Sequence, residues 1–190
     1  MFSRLLQVWL IVSTLLLSWL LMEAVHEFGH AVGAWITGGR LVRTVLHPLA
    51  ISRTDIEPNP HPVIVVWAGP LVGTALPALA WGLFAAAKLP TSFLRFFAGF
   101  CLIANGAYIG VGSVQRIGDC GVMLRHGSPI WALWLFGTVT IPAGLWLLDG
   151  TRDYFGLGKR KSRVNSRAII VTSVALSAVL ILEVAIIPRQ

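Results

Sequence analysis

The sequence predicts an all-α polytopic membrane protein of about five transmembrane helices, with a short β-hairpin-like, membrane-associated segment after the first. Three observations carry that expectation. Of the 190 residues, 56% are hydrophobic and only 12% charged, against about 25% charged in a soluble domain, and the mean hydropathy is +0.77. The apolar residues gather into separate runs, each long enough to cross most of a hydrocarbon core about 30 Å thick. Charges are rare inside the runs and concentrate in the connections, with one exception near the end of the first run. No internal repeat or composition break divides the chain, so residues 1–190 read as one integral membrane domain.

The first helix is expected over about 5–37. Its run Leu5–Leu21 covers most of a bilayer, and apolar character resumes over Ala31–Ile36. The terminal Met-Phe-Ser-Arg has the look of a signal peptide's charged start, but no small-residue cleavage site follows, so the helix is read as retained. Gly38-Gly39 stops it. A β-branched stretch and a Pro/Asn cluster then make 38–61 a candidate hairpin lying against the membrane. Further spans are expected at about 62–87, 93–112, 129–148 and 168–187. Arg95 and Asn105 interrupt the third of these helices, and the small residues near its end indicate close packing or a break. Pro70, Pro77 and Pro142 are tolerated inside spans where neighbours satisfy the freed backbone. The connection 113–128 is polar and punctuated by glycine, and 149–167 is basic.

The net charge is +7. Because the charges sit between spans, they read as topology determinants and contacts to anionic headgroups of the lipid bilayer, not as a nucleic-acid surface. Lys159, Arg160, Lys161 and Arg163 would hold the last connection in the cytoplasm, yet Arg40, Arg43, Arg53, Arg116 and Arg125 lie on the other side, so charge assigns no orientation. Trp9, Trp131 and Trp146 stand near span ends as interfacial anchors, whereas Trp19, Trp35, Trp67 and Trp81 are expected to pack inside. Cys101, in a span, reads as a small hydrophobe.

The exception among the runs is His26-Glu27-Phe28-Gly29-His30. Ionisable residues at membrane depth are costly and mark a functional site by default. On a helix, histidines at i and i+4 stack one turn apart and can hold one Zn²⁺, with the intervening Glu beside it as general base. With Glu23 at zero and about 100° per residue, His26, Glu27 and His30 fall within a stripe about 100° wide. Val25, Phe28 and Val32 face the other way, so the polar stripe must face protein.

A catalytic zinc takes three protein ligands and leaves a position open. Glu23, His47, His61, Asp119, Cys120, His126 and Asp149 are the candidates for the third. Asp119 is favoured, because Gly118-Asp119-Cys120-Gly121 follows the third span directly and can bring a carboxylate to another helix. Asp149, in Leu148-Asp149-Gly150, is the runner-up. His126 sits beside Arg125 in a polar loop, and His47 and His61 each precede a proline.

With these residues the chain resembles a small member of the site-2 protease family of intramembrane zinc metalloproteases. The resemblance rests on H-E-F-G-H in the first apolar segment, Ala68-Gly69-Pro70 in the next, and Asn105 followed by a Gly-Asp segment. It covers roughly residues 20–125. The chain departs from the family's late pattern: no proline lies between Asn105 and Asp119, and Asp-Cys-Gly replaces Asp-Gly. The resemblance implies a catalytic core over about 20–125 and peptide-bond hydrolysis within or near transmembrane segments of membrane protein substrates. It also implies zinc ligation by His26, His30 and Asp119, and Glu27 as general base and then general acid. Asn105 either donates to the substrate carbonyl or its oxyanion or serves only to bond helix to helix. The hairpin would offer a strand edge to the unwound substrate. Two alternatives are an inactive relative acting as chaperone or regulator, and a proton or metal transporter. An intact Glu27 argues against the first, and the missing pseudo-symmetric halves against the second.

Overall fold

A computed structural model describes residues 2–49, 52–158 and 164–186. Five long apolar helices form a membrane-spanning bundle: α1 (Phe2–Thr37), α2 (Pro62–Ala86), α3 (Ser92–Gln115), α5 (Ile130–Asp149) and α6 (Ser166–Ile186). A short helix α4 (Gly118–Arg125) and two strands, β1 (Leu41–Val45) and β2 (Arg53–Ile56), complete it. The five spans lie close to the expected ranges. Ile187, the last residue of the expected fifth span, and Lys159, Arg160, Lys161 and Arg163 of the basic connection lie outside the described residues.

The helices stand in the neighbour order α6–α1–α2–α3–α5. Small residues set the spacing, as expected where lipid supplies no hydrophobic drive between helices. A methyl at Gly144 would lie 2.6 Å from the Gly99 carbonyl, and one at Gly137 would lie 2.9 Å from that of Gly106, so α3 and α5 touch backbone to backbone. The third span is therefore a continuous helix, closely packed and unbroken at Asn105. At its start Arg95 donates to the Leu147 carbonyl and lies over the rings of Trp81 and Trp146, so this charge at the end of the bundle is used inside it. α6 runs alongside α1, with Trp9 Nε1 donating to Ser173 and Leu176 packed on Leu17 and Leu20.

The connection expected as a loop over 113–128 contains a sixth helix. α4 forms because Cys120 and Met123, one turn apart, reach the cluster of Val66, Ile109 and Leu133 and are fully buried there. Burying a Met is worth about 1.5–3 kcal/mol, enough to hold two turns. The expected hairpin is present: β1 and β2 are antiparallel, in register Arg43↔Asp55, Thr44↔Thr54 and Val45↔Arg53, with a bulge between Leu41 and Arg43. Gly38, at φ +75°, supplies the left-handed turn that ends α1. Trp67 packs partly buried, donating to Ser128, but Trp19 and Trp35 are half exposed or more. The expectation that both pack inside is corrected, since α6 and the hairpin leave those faces of α1 uncovered.

Candidate metal centre

α1 and α2 approach closely at the level of the His-Glu-His group, and glycines permit it. A methyl on Gly29 would lie 2.4 Å from the Ala68 carbonyl, and one on Gly33 2.7 Å from the Ala68 side chain. Gly69 faces the histidines: a methyl there would stand 2.4 Å from His30 Cε1 and 2.9 Å from His26 Nε2. The same contact buries His26, Glu27 and His30.

Each imidazole is oriented by an acceptor. The Asn105 amide donates to the Cys101 carbonyl at 2.9 Å, which turns Asn105 Oδ1 toward His26 Nδ1, 2.7 Å away. A carbonyl fixes the amide, the amide oxygen requires a proton on Nδ1, and His26 Nε2 is left with its lone pair. His30 Nδ1 likewise donates to the Val65 carbonyl at 2.9 Å, leaving its Nε2 free. Such outer partners are what orient metal-binding histidines.

Both free nitrogens point at Asp119, on the first turn of α4. Asp119 Oδ2 lies 2.8 Å from His26 Nε2 and 3.3 Å from His30 Nε2, and the two nitrogens are 3.1 Å apart. Three electron-pair donors therefore meet at one point, an arrangement that repels unless a cation or an added imidazole proton stands there. Ligands about 2.0–2.1 Å from a tetrahedral zinc lie about 3.3 Å from one another, so these separations and this N,N,O donor set fit the ion. Burial opposes ionisation of Asp119, but the His26 and His30 imidazoles, where one takes an added proton on Nε2 and donates it, outweigh that and hold the carboxyl well below the usual carboxylate range. An ionised carboxylate is the form that could hold a cation here.

Glu27 stands beside the cluster, with potential ligand atoms of His26, Glu27 and His30 within 4.8 Å of one another. Thr54 on β2 donates to Glu27 Oε2 at 2.7 Å, and among the described residues Oε1 has no hydrogen-bond partner. A cavity of about 1250 Å³ opens here between α1, the hairpin, α2, α3 and α4, and Glu23, Glu27, Thr54, Tyr108 and Asp119 are on its wall.

Of the other sequence candidates, Glu23 shares the cavity wall without a hydrogen bond to the cluster among the described residues. Asp149 is exposed at the end of α5 and paired with Arg152. His61 and His126 are exposed at the ends of α2 and α4, and His47 accepts the Leu49 amide in the hairpin turn. Cys120 is buried against the Tyr108 carbonyl, and that burial, with the Asp119 charge, pushes its thiol up to about 11, so it stays protonated. Asn105 faces His26 and the helix backbone, which are not the contacts expected of a substrate donor. Thr54, Tyr108 and the Val65 carbonyl were not among the expected site residues. Nothing local marks them, because their roles arise from hairpin register and helix packing.

A family model described as Peptidase M50B-like matches residues 3–109. The chain belongs to the M50B-like peptidase family. It is thus a multi-pass integral membrane protein related to the site-2 proteases, as its motifs had suggested. The matched region of this M50B-like chain includes His26, Glu27, His30 and Asn105, and ends ten residues before Asp119, whose place at the cluster is given by the fold alone. No curated protein and no solved structure matches the chain.

Proposed function

We propose that this M50B-like protein is an active zinc metalloendopeptidase that hydrolyses peptide bonds within or near the transmembrane segments of membrane protein substrates. The observation that carries the reading is the convergence of His26 Nε2, His30 Nε2 and Asp119 Oδ2 beside a buried Glu27, on the wall of an open cavity. One Zn²⁺ held by these three residues would lower the pKa of water toward neutrality and polarise the scissile carbonyl.

The chain's own groups then divide the work. Glu27, with Oε2 tied to Thr54, has Oε1 to take the proton from the attacking water as its oxygen bonds to the carbonyl carbon. When the carbon–nitrogen bond breaks, the same carboxylate delivers that proton to the leaving amine. Asn105 and the Val65 carbonyl hold the two imidazoles in the tautomer that presents Nε2. β2 borders the cavity and, among the described residues, has one edge without a partner strand. That edge would pair with substrate unwound into an extended chain.

The test uses the full chain in detergent, loaded with zinc, acting on fluorescein-labelled casein, an unstructured polypeptide that needs no unwinding. A single-span peptide in lipid vesicles serves as the second substrate. Glu27→Gln should lower cleavage about 10²–10⁴-fold with zinc content unchanged. Equal cleavage by the parent and this variant would refute the reading.

A further inference from the structure

Amide hydrolysis places negative charge on the former carbonyl oxygen, and a fixed donor aimed at it is worth about 10²–10³ in rate. Several donors packed on the cluster are already engaged. His26 Nδ1 and His30 Nδ1 donate to Asn105 and Val65, one N–H of the Asn105 amide to Cys101, and the Thr54 hydroxyl to Glu27. Among the described residues, the Tyr108 hydroxyl stands on the cavity wall with its proton not given to any acceptor.

We infer that Tyr108 is a catalytic residue of this site, its phenol donating to the oxyanion of the scissile peptide. The inference rests on the peptidase reading above. Tyr108 stands on α3 at the cavity wall, edge-on to His26 with ring centroids 5.9 Å apart. Among the described residues its hydroxyl makes one hydrogen bond, accepting the Asp119 backbone N–H at 3.1 Å. That bond locates the oxygen and uses only a lone pair, so the proton remains to be given. The backbone beside it is hollowed to fit: Gly118 has φ +52°, and a methyl there would lie 2.3 Å from the Tyr108 oxygen.

The same two residues thus serve both groups. Gly118 makes room for the hydroxyl, and Asp119 offers its N–H to Tyr108 and its carboxylate to the histidines. The phenol is thereby held at a set offset from the proposed zinc ligands, as preorganised stabilisation requires. A hydroxyl placed by a backbone N–H costs no reorganisation when charge develops.

The test compares the zinc-loaded full-length parent, Glu27→Gln and Tyr108→Phe. Tyr108→Phe should lower kcat on labelled casein about 100-fold, with KM and bound zinc within about twofold. Its affinity for a phosphinic peptide, a tetrahedral anionic mimic of the transition state, should fall about tenfold or more. Casein binding measured in the Glu27→Gln background should not change when Tyr108→Phe is added. Unimpaired kcat and phosphinic-peptide affinity would overturn the inference. So would loss of zinc, which would make Tyr108 only a prop for Asp119. If Tyr108→Phe does not fold, a fluorinated tyrosine at 108 keeps the shape and makes the phenol a stronger donor. It should bind the phosphinic peptide more tightly than the parent with bound zinc unchanged, and an unchanged affinity counts against the inference. A parent no better than Glu27→Gln would refute the peptidase reading itself, whereas a fully active Tyr108→Phe refutes only the role of Tyr108.

Discussion

Gly69→Ala tests whether the close approach of α1 and α2 makes the site. The added methyl would lie 2.4 Å from His30 Cε1, 2.5 Å from His30 Nε2 and 2.9 Å from His26 Nε2, whereas ordinary contact begins at 3.4 Å. His30 must therefore retreat by about 1 Å. Metal–ligand distances tolerate only about ±0.2 Å, and the Val65 carbonyl 2.9 Å from Nδ1 resists the movement. Weakened zinc binding of about 10–100-fold is expected, the cost of disturbing a ligand's supports, together with about 10²-fold lower cleavage from a misplacement of this size. Bound zinc would be measured by mass spectrometry after equilibration with graded chelator, and cleavage with labelled casein. Gly82→Ala is the control, since a methyl at Gly82 meets nothing within 4 Å, and it should leave both properties intact. Parent-like zinc affinity and cleavage in Gly69→Ala would refute the claim that this contact positions the ligands.

Three more perturbations separate the roles of neighbouring residues. Asp119→Ala should weaken zinc binding at least tenfold in the chelator assay, while Asp149→Ala, at an exposed residue paired with Arg152, should not change it; the reverse pattern would overturn the ligand assignment. Asn105→Leu should cost about 10–100-fold in zinc affinity by releasing His26 from its tautomer, a change that titration with a chelator detects. Thr54→Val should lower kcat about tenfold with zinc retained, because Glu27 loses the 2.7 Å bond that orients it, and Thr54→Ser, which keeps the hydroxyl, should stay close to the parent; a parent-like Thr54→Val, or equal loss in both variants, would refute the role of the hydroxyl bond.

How much of this was legible in the chain depends on the range of the interaction concerned. The spans were readable because a helix in lipid must be apolar along its own length, and the hairpin because Gly38-Gly39 and the Pro/Asn turn bracket a β-branched stretch. The pairing of His26, Glu27 and His30 follows from helical spacing alone. α4 was read as loop: its mean composition is polar, and only Cys120 and Met123, one turn apart, report that it docks. Asn105 shows the same boundary. Its residue type allowed either a bond to another helix or a donor to substrate, and the Cys101 carbonyl one turn earlier on the same helix turns its oxygen to His26.

The sequence by itself therefore determined a multi-pass membrane protein with two histidines and a carboxylate on one helical stripe, since period and hydropathy are properties of one segment. Only the tertiary structure decided which carboxylate meets the histidines, which oxygen of Glu27 the Thr54 hydroxyl engages, and that Tyr108 stands on the same cavity wall. Those outcomes depend on contacts between residues up to 93 positions apart, such as His26 with Asp119. They are set by how closely glycines let helices approach and by where a short helix buries two side chains.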